Sequence, residues 1–386
     1  MLPRKDYLVF GAPDIRAPEI NAIVEVMKSG WIGTGPKVFQ YERDFAAYKG
    51  VTEAATVFSC TAALHLSLLA AGIGEGDEVI TTAMTFCATV NAIIHAGGTP
   101  VLADIDPGTL NLDPKSVEKK ITSKTKAILP VHFAGRPCDM NALVELAGQH
   151  HLKVIEDCAH AIETEFRGQK AGTFGDFGCF SFYVTKNVTT AEGGMVITKD
   201  PAALSKIRIL RLHGLSKDAW KRFGDDGYKH YGVVAAGFKQ NMTDLQAAIG
   251  IEQLKRVEES WNRRKEIWQQ YQAAFEQLAI GLPAEPDAET RHGYHLYTLM
   301  IDPAKCGITR DGFLQELHAR KIGSGVHYLS IPEHSFYGET FGWKREDYPH
   351  ALKVGRETLS IPLAPNLSSE DIGDVIDAVR SILASR

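Results

Sequence analysis

The sequence predicts an α/β protein: a large domain with a mostly parallel central sheet covered by helices, and a smaller C-terminal α+β unit. Three observations carry this. Short β-branched runs alternate with helical patterns between residues 50 and 200, a long helical stretch follows, and the tail then changes to a different order of strands and helices. Strands alternating with helical segments of about 10 to 15 residues indicate βαβ units, whose crossovers lay helices on both faces of a parallel sheet.

In chain order, "KVFQYERDFAAYKG" sets Val38, Tyr41, Phe45 and Tyr48 near one helical face and ends at Gly50, a natural helix stop. "ATVFS" leads into "TAALHLSLLAAG", and "DEVITTA" into "FCATVNAIIHAG". "TPVLADID" and "KAILPVHF" follow as strands, and "MNALVELAGQHH" leads into the strand "KVIEDCA". From "MTDLQ" to "FEQL" one long helical stretch is positioned to connect two domains, read as 1–255 and 256–386. In the second, "YHLYTLMI", "GVHYLSI" and "TLSIPLA" read as strands and "TRDGFLQELHARKIG" as a helix started by Thr309. A last helix follows, in which Ser368 and Asp371 have capping-box spacing. The stretch 214–237, rich in glycine and charge, reads as a loop; at that length it is either merely solvated or functional.

Composition excludes several function classes. With 44% hydrophobic and 23% charged residues, 386 residues build an ordinary globular core. A net charge of -5 without a block of like charge gives no nucleic-acid surface. The start "MLPRKDYLVFGAPDI" has no apolar signal-peptide region, and no apolar run approaches the roughly 18 residues of a membrane span. A cytoplasmic protein with no membrane partner is therefore expected. The six cysteines include no CxxC pair and read as free thiols of a reducing compartment, not as a disulfide framework or metal site.

The chemistry centres on "SFYVTKNVTTAEGG", where a β-rich run stops at Lys186 before a Gly193-Gly194 pair. A lone lysine is ordinarily a solvated surface residue; its place between an apolar strand and a glycine turn argues otherwise. Asp157 ends "KVIED", at the carboxyl end of a strand where open α/β sheets bind ligands, although it could simply cap the next segment. Ser59, Cys60 and Thr61 form a polar turn at a helix start, fit either for plain capping or for presenting N–H groups to an anion. P-loop, zincin and Rossmann fingerprints are absent, and "GTFGDFG" leads into a strand rather than a helix. A lysine, an acid and an anion cradle are together what pyridoxal 5'-phosphate requires: a covalent anchor, a partner for its pyridine nitrogen, and a phosphate site.

These residues resemble the DegT/DnrJ/EryC/StrS nucleotide-sugar aminotransferases, fold type I enzymes dependent on pyridoxal phosphate. The matching segments are "SGWIGTGPKVFQYE" (29–42), "SCTAALHLSLLAAGIGEGDEVI" (59–80), "TFCATVNAIIHAGGTPVLADID" (85–106), "VIEDCAHA" (154–161), "AGTFGDFGCFSFYVTKNVTTAEGGMV" (171–196), "GFKQNMTDLQAAIGIEQL" (237–254) and "VHYLSIPEH" (326–334). The resemblance implies that Lys186 is the Schiff-base lysine and proton carrier, and that Asp157 is the partner of the pyridine nitrogen. His160 falls near the cofactor's phenolic oxygen, where many members have glutamine, and Phe86 where an aromatic stacks on the ring. Cys60, Thr61 and Ser181 correspond to phosphate contacts, Cys60 where glycine is common. Asn241 resembles an asparagine that reaches the phosphate from the other subunit, which implies a homodimer. Trp31, Tyr183, His327 and Tyr328 are candidate substrate contacts, the last two equally readable as ordinary strand residues.

The implied reaction moves an amino group from L-glutamate to a nucleotide-linked keto sugar, with the cofactor passing through pyridoxamine 5'-phosphate. Lysine at 186 favours transamination, since dehydratase relatives carry histidine there. Two alternatives stay open: an acceptor that is a non-nucleotide ketose or cyclitol, and a regulatory protein without catalysis on the same fold.

Overall fold

The computed structural model describes residues 4–216 and 232–384. Most of the glycine-rich stretch 214–237 therefore lies outside the described residues.

The strands run β1 Ala54–Val57, β2 Glu78–Thr82, β3 Thr99–Ala103, β4 Thr125–Leu129, β5 Lys153–Asp157, β6 Glu165–Phe166, β7 Gln169–Lys170, β8 Phe177–Ser181, β9 Gly194–Thr198, β10 Thr290–Arg291, β11 Tyr297–Met300 and β12 Thr358–Ile361. Seven of them form the central sheet, in the order β1-β9-β8-β5-β4-β2-β3. The pairs β3–β2, β2–β4, β4–β5 and β5–β8 are parallel, while β9 runs antiparallel to both neighbours. The expected α/β sheet is thus formed, and its reversed strand is the one that begins at Gly194, the second glycine of the pair.

Helix α1 spans Ala17–Ser29 and α2 Pro36–Lys49; α3 (Cys60–Ala70) follows β1, and α4 (Cys87–His95) follows β2. Helix α2 buries Val38, Tyr41 and Phe45 and ends at Gly50, whose φ of 71° is left-handed. Phe45 and Tyr41 meet Phe182 of the post-β8 loop, with ring centroids 5.6 and 5.2 Å apart, and this packing seats the loop that carries Lys186.

A buried ion pair ties α2 to the sheet. Glu42 accepts from the Thr56 N–H at 2.9 Å and from Arg211 Nη1 at 2.7 Å, and both charged side chains are almost wholly buried. Removing Arg211 alone leaves this buried carboxylate with the Thr56 donors and the more distant Arg208 at 3.8 Å, which costs about 3 kcal/mol. Arg211→Met is expected to lower unfolding free energy by about that amount in urea titration, whereas an exposed pair such as Lys28 with Glu25 changes little when broken.

Glu156 performs a similar task beside the site. Its carboxylate accepts from the N–H groups of Gly172, Phe174 and Gly175 at 2.7 to 2.8 Å and lies 3.0 Å from His132 Nε2. The glycine-rich "GTFGDFG" is therefore a turn folded around one carboxylate before β8. Together with Cys158, these side chains lie close enough to group around an ion, but Glu156 and His132 are engaged in protein hydrogen bonds.

The long helical stretch is two helices. It breaks at Arg256, between Asp244–Lys255 and Val257–Phe275, where the backbone leaves helical geometry with ψ of 15°. The C-terminal region buries its own cluster, including Ile267, Trp268, Tyr271, Tyr297, Phe313 and Val379, around the β11–β12 pair. Thr309 caps the helix Arg310–Ala319, and Ser368 and Asp371 exchange the expected capping bonds. "GVHYLSI" is not a strand: only Gly325 bridges to Ser360, after which the backbone is drawn to the large sheet's loop by Ile331 N–H donating to Ala83 O at 2.9 Å. His327 and Tyr328 pack there on Phe10, Phe86 and Phe133 instead of alternating across a sheet.

Candidate active site

At the carboxyl ends of β1, β5 and β8 the fold leaves a cavity of about 530 Å³. It brings together Lys186, Asp157, Cys60, Thr61, Ser181, Phe86, His160, Tyr183, His327 and Tyr328. Two expected residues lie outside it. Asn241 donates to Thr34 Oγ1 at 2.7 Å, and the half-exposed Trp31 donates to Thr34 O at 3.1 Å.

Lys186 stands in a short loop closed at its base by Phe182, which pairs with Gly193 and Thr190. Burial at the cavity wall pushes its pKa down to about 8, against the pull of Cys60 and Asp157, which favour the charged form. The amine is thus partly neutral near physiological pH, which is the nucleophilic form. Uptake of pyridoxal phosphate by the apo-protein, followed by stopped-flow absorbance, is expected to accelerate with rising pH to a midpoint near 8. Continued acceleration to the ordinary lysine range of about 10 would contradict this.

Asp157 ends β5 and is buried. Thr89 Oγ1 donates to its Oδ2 at 2.9 Å and Ala159 N–H to its Oδ1 at 3.1 Å, so the carboxylate does cap the next segment while still lining the cavity. Burial raises its pKa, opposed by these two hydrogen bonds and by Lys186. The Cys60 thiol sits 3.8 Å from Oδ1.

Ser59 caps α3 by accepting from Ala62 N–H at 3.1 Å, and the N–H groups of Cys60 and Thr61 fall in the first turn, where no intrahelical acceptor exists. Gly194 makes this turn possible: a Cβ there would come within 2.5 Å of the Ser59 carbonyl. Gly194 is therefore a close-approach position that lets the Ser59–Thr61 turn sit on β9.

Opposite, Phe86 precedes α4 with its ring 5.8 Å from that of Tyr328. His160 Nδ1 accepts from Ala134 N–H at 3.3 Å, and its Nε2 lies 3.1 Å from the Tyr328 hydroxyl. His327 Nδ1 lies 2.8 Å from Ser360 Oγ, and burial with the nearby Lys186 charge brings its pKa down to about 4. Sequence reasoning missed Thr89, Asn187 and His295. Asn187 directly follows the lysine, and His295 sits in "YHLY", which carries only a strand signal.

The donors present fit pyridoxal phosphate. An amine of lowered pKa, a buried carboxylate and a helix start with orphan N–H groups suit its aldehyde, ring nitrogen and phosphate respectively.

Comparisons with known proteins agree. Residues 13–380 match the DegT/DnrJ/EryC1/StrS aminotransferase family. The chain is 47% identical over 381 residues to the spore coat polysaccharide biosynthesis protein SpsC of Bacillus subtilis, covering 98% of each. The PLP-form of Spr1654 from Streptococcus pneumoniae superposes with a TM-score of 0.90 at 32% identity, covering 98% of this chain and 99% of that one. DesI, solved in the presence of its TDP-sugar product, gives a TM-score of 0.88 at 31% identity, over 99% and 94% of the two chains. Among the described residues no helix is long and apolar enough to cross a membrane. The chain belongs to the DegT/DnrJ/EryC1/StrS aminotransferase family, and is a sugar aminotransferase dependent on pyridoxal phosphate.

Proposed function

We propose that this enzyme transfers the amino group of L-glutamate to a nucleotide-linked keto sugar, preferentially a 4-keto-6-deoxy sugar, for the synthesis of amino-sugar glycans. The observation that carries the reading is the cavity wall beside Lys186. It offers His327, Tyr183 and Tyr328, hydrogen-bonding groups suited to sugar hydroxyls, and no arginine among its described residues.

Bound there, the cofactor supplies an electron sink that lets a proton leave the carbon bearing the nitrogen. The chain's own residues divide the remaining work. Lys186 Nζ would hold the cofactor through its aldehyde and, as a free amine, would carry a proton beside it. Asp157 holds the positive charge of the ring nitrogen, and Thr89 and Ala159 keep its oxygens aimed. The Cys60 and Thr61 N–H groups and the Ser181 hydroxyl bind the phosphate. Phe86 covers the ring, and His160 lies toward the phenolic oxygen.

The site is completed by a second copy of the chain. Trp31 and Asn241 stand outside the cavity of their own chain, and α1 leaves Ile20, Val24 and Met27 exposed along one stripe. A homodimer covering that stripe brings the partner's Asn241 to the phosphate. The large unit, 1–255, would carry the cofactor, and 256–386 adds His295, His327 and Tyr328 to the cavity wall.

The test supplies the holoenzyme with L-glutamate and a panel of acceptors: UDP-, dTDP- and GDP-linked 4-keto-6-deoxy sugars, free ketoses, and keto-cyclitols. Acceptor-dependent release of 2-oxoglutarate is expected with a nucleotide-linked sugar. Higher kcat/KM with a free ketose or cyclitol would overturn the substrate class.

A further inference from the structure

We propose that Asp244 is a positioning residue for the cofactor site of the partner subunit: its buried carboxylate holds the turn that carries Trp31 and the segment that carries Asn241 in the shape offered to the second copy. The inference rests on the reading that Asn241 reaches the phosphate across a homodimer.

Asp244 opens the helix Asp244–Lys255 and is only 2% exposed. It does not cap that helix; Thr243 does, accepting from Gln246 N–H. The carboxylate turns instead to the start of α2. Oδ1 accepts from Gly35 N–H at 2.8 Å and Val38 N–H at 3.0 Å, and Oδ2 accepts from Lys37 N–H at 3.1 Å. Gly35 stands at the N-cap position of α2 and has no side chain to cap with, so Asp244 supplies the acceptors that this helix start lacks. In return, Asp244 N–H donates to Gly33 O at 2.7 Å. Two helix starts meet at one carboxylate, and both dipoles favour its charge.

The turn before α2 is built on this anchor. Thr34 Oγ1 donates to Met242 O at 2.6 Å and accepts from Asn241 Nδ2 at 2.7 Å, so the Asn241 amide is oriented by a hydroxyl whose own hydrogen is committed. The Trp31 indole donates to Thr34 O at 3.1 Å and lies on Gly35, where a Cβ would stand 1.8 Å from Nε1. Behind Asn241, Gln240 O accepts from Phe58 N–H at 2.8 Å. Trp31, Thr34 and Asn241 therefore form one platform, and Asp244 bonds to both chain segments that make it.

This platform does not serve its own chain's cavity. None of Trp31, Thr34, Asn241 and Asp244 lines it. The platform instead follows directly on α1, which ends at Ser29 and bears the exposed stripe of Ile20, Val24 and Met27 that a second copy would cover. Loosening the platform acts on the partner's phosphate site through Asn241, while the lysine, carboxylate and helix start of the same chain keep their contacts.

The test is a titration of apo-protein with pyridoxal phosphate, read by the near-visible band of lysine-bound cofactor. Asp244→Ala is expected to raise the dissociation constant about tenfold, the loss of one well-aimed donor to a charged group. Asp244→Asn, which keeps an acceptor for Gly35 and Val38, is expected to fall between, and carries the same comparisons if the alanine variant does not fold. The site acted on is identified in a mixed dimer of one Asp244→Ala chain and one Lys186→Ala chain, purified through two tags. Its band arises only where Lys186 belongs to the Asp244→Ala chain and the platform to the partner with Asp244 intact. Wild-type affinity is expected there. An unchanged dissociation constant in the Asp244→Ala homodimer overturns the inference. A second mixed dimer, of Asn241→Ala with Lys186→Ala, separates it from the reading beneath it. Affinity restored in the Asn241→Ala mixture but not in the Asp244→Ala mixture overturns this inference alone; affinity restored in neither overturns the cross-dimer reading of Asn241 as well.

Discussion

Lys186→Ala is expected to reduce turnover with L-glutamate and a keto-sugar acceptor by about 10⁴ or more, since one substitution removes the anchor and the proton carrier together. The fold should survive. Lys186 caps no helix, and its lowered pKa means that its charge is a burden in the folded state. Thermal unfolding is therefore expected to change little, or to move slightly upward. Lys186→Arg, which keeps a cation but cannot form the covalent linkage, should be as inactive as alanine. Recovery of more than a few per cent of activity by arginine would show that charge, not nucleophilicity, is the lysine's contribution.

Asp157→Asn carries the second large effect. The carboxylate is worth most where a buried positive charge must be held, and an isosteric amide cannot hold it; the rate of the half-reaction with L-glutamate is expected to fall by about 10² to 10³. The amide oxygen can still accept from Ala159 N–H, and the Thr89 hydroxyl can turn to accept from the new NH₂, so the geometry is kept while the charge is lost. Single-turnover absorbance separates this from weak cofactor binding. A variant saturated with cofactor that reacts at the wild-type rate would remove Asp157 from the mechanism.

Much of this site was legible in the sequence because its chemistry lies on regular elements. Asp157 terminates a strand whose apolar run is visible, Lys186 terminates another run, and the Ser59–Thr61 turn opens a helix of evident pattern. The glycine pair was visible as a turn, but its reason was not: Gly194 touches the Ser59 carbonyl across the sheet, a contact between residues more than 130 positions apart. Asn187 and His295 were missed for the same cause. Their placement arises from a convergence of Glu163, Gly293 and Arg264 that no local pattern encodes. "GVHYLSI" misled because β-branched and aromatic residues fit a strand equally well as a cavity wall, and tertiary contacts to Ala83 and Phe10 decided between them. The break at Arg256 was hidden because Leu254, Lys255, Glu258 and Glu259 on either side are good helix formers and no glycine or proline marks it.

The central claim is that Lys186 anchors pyridoxal phosphate for transamination, and the absorption spectrum of the purified protein supplied with the cofactor tests it most directly. A near-visible band of lysine-bound cofactor is predicted in the wild type, bleached by L-glutamate, and absent or unresponsive in Lys186→Ala. A wild-type protein that shows no such band, or a Lys186→Ala variant whose band responds to glutamate as the wild type does, would contradict it.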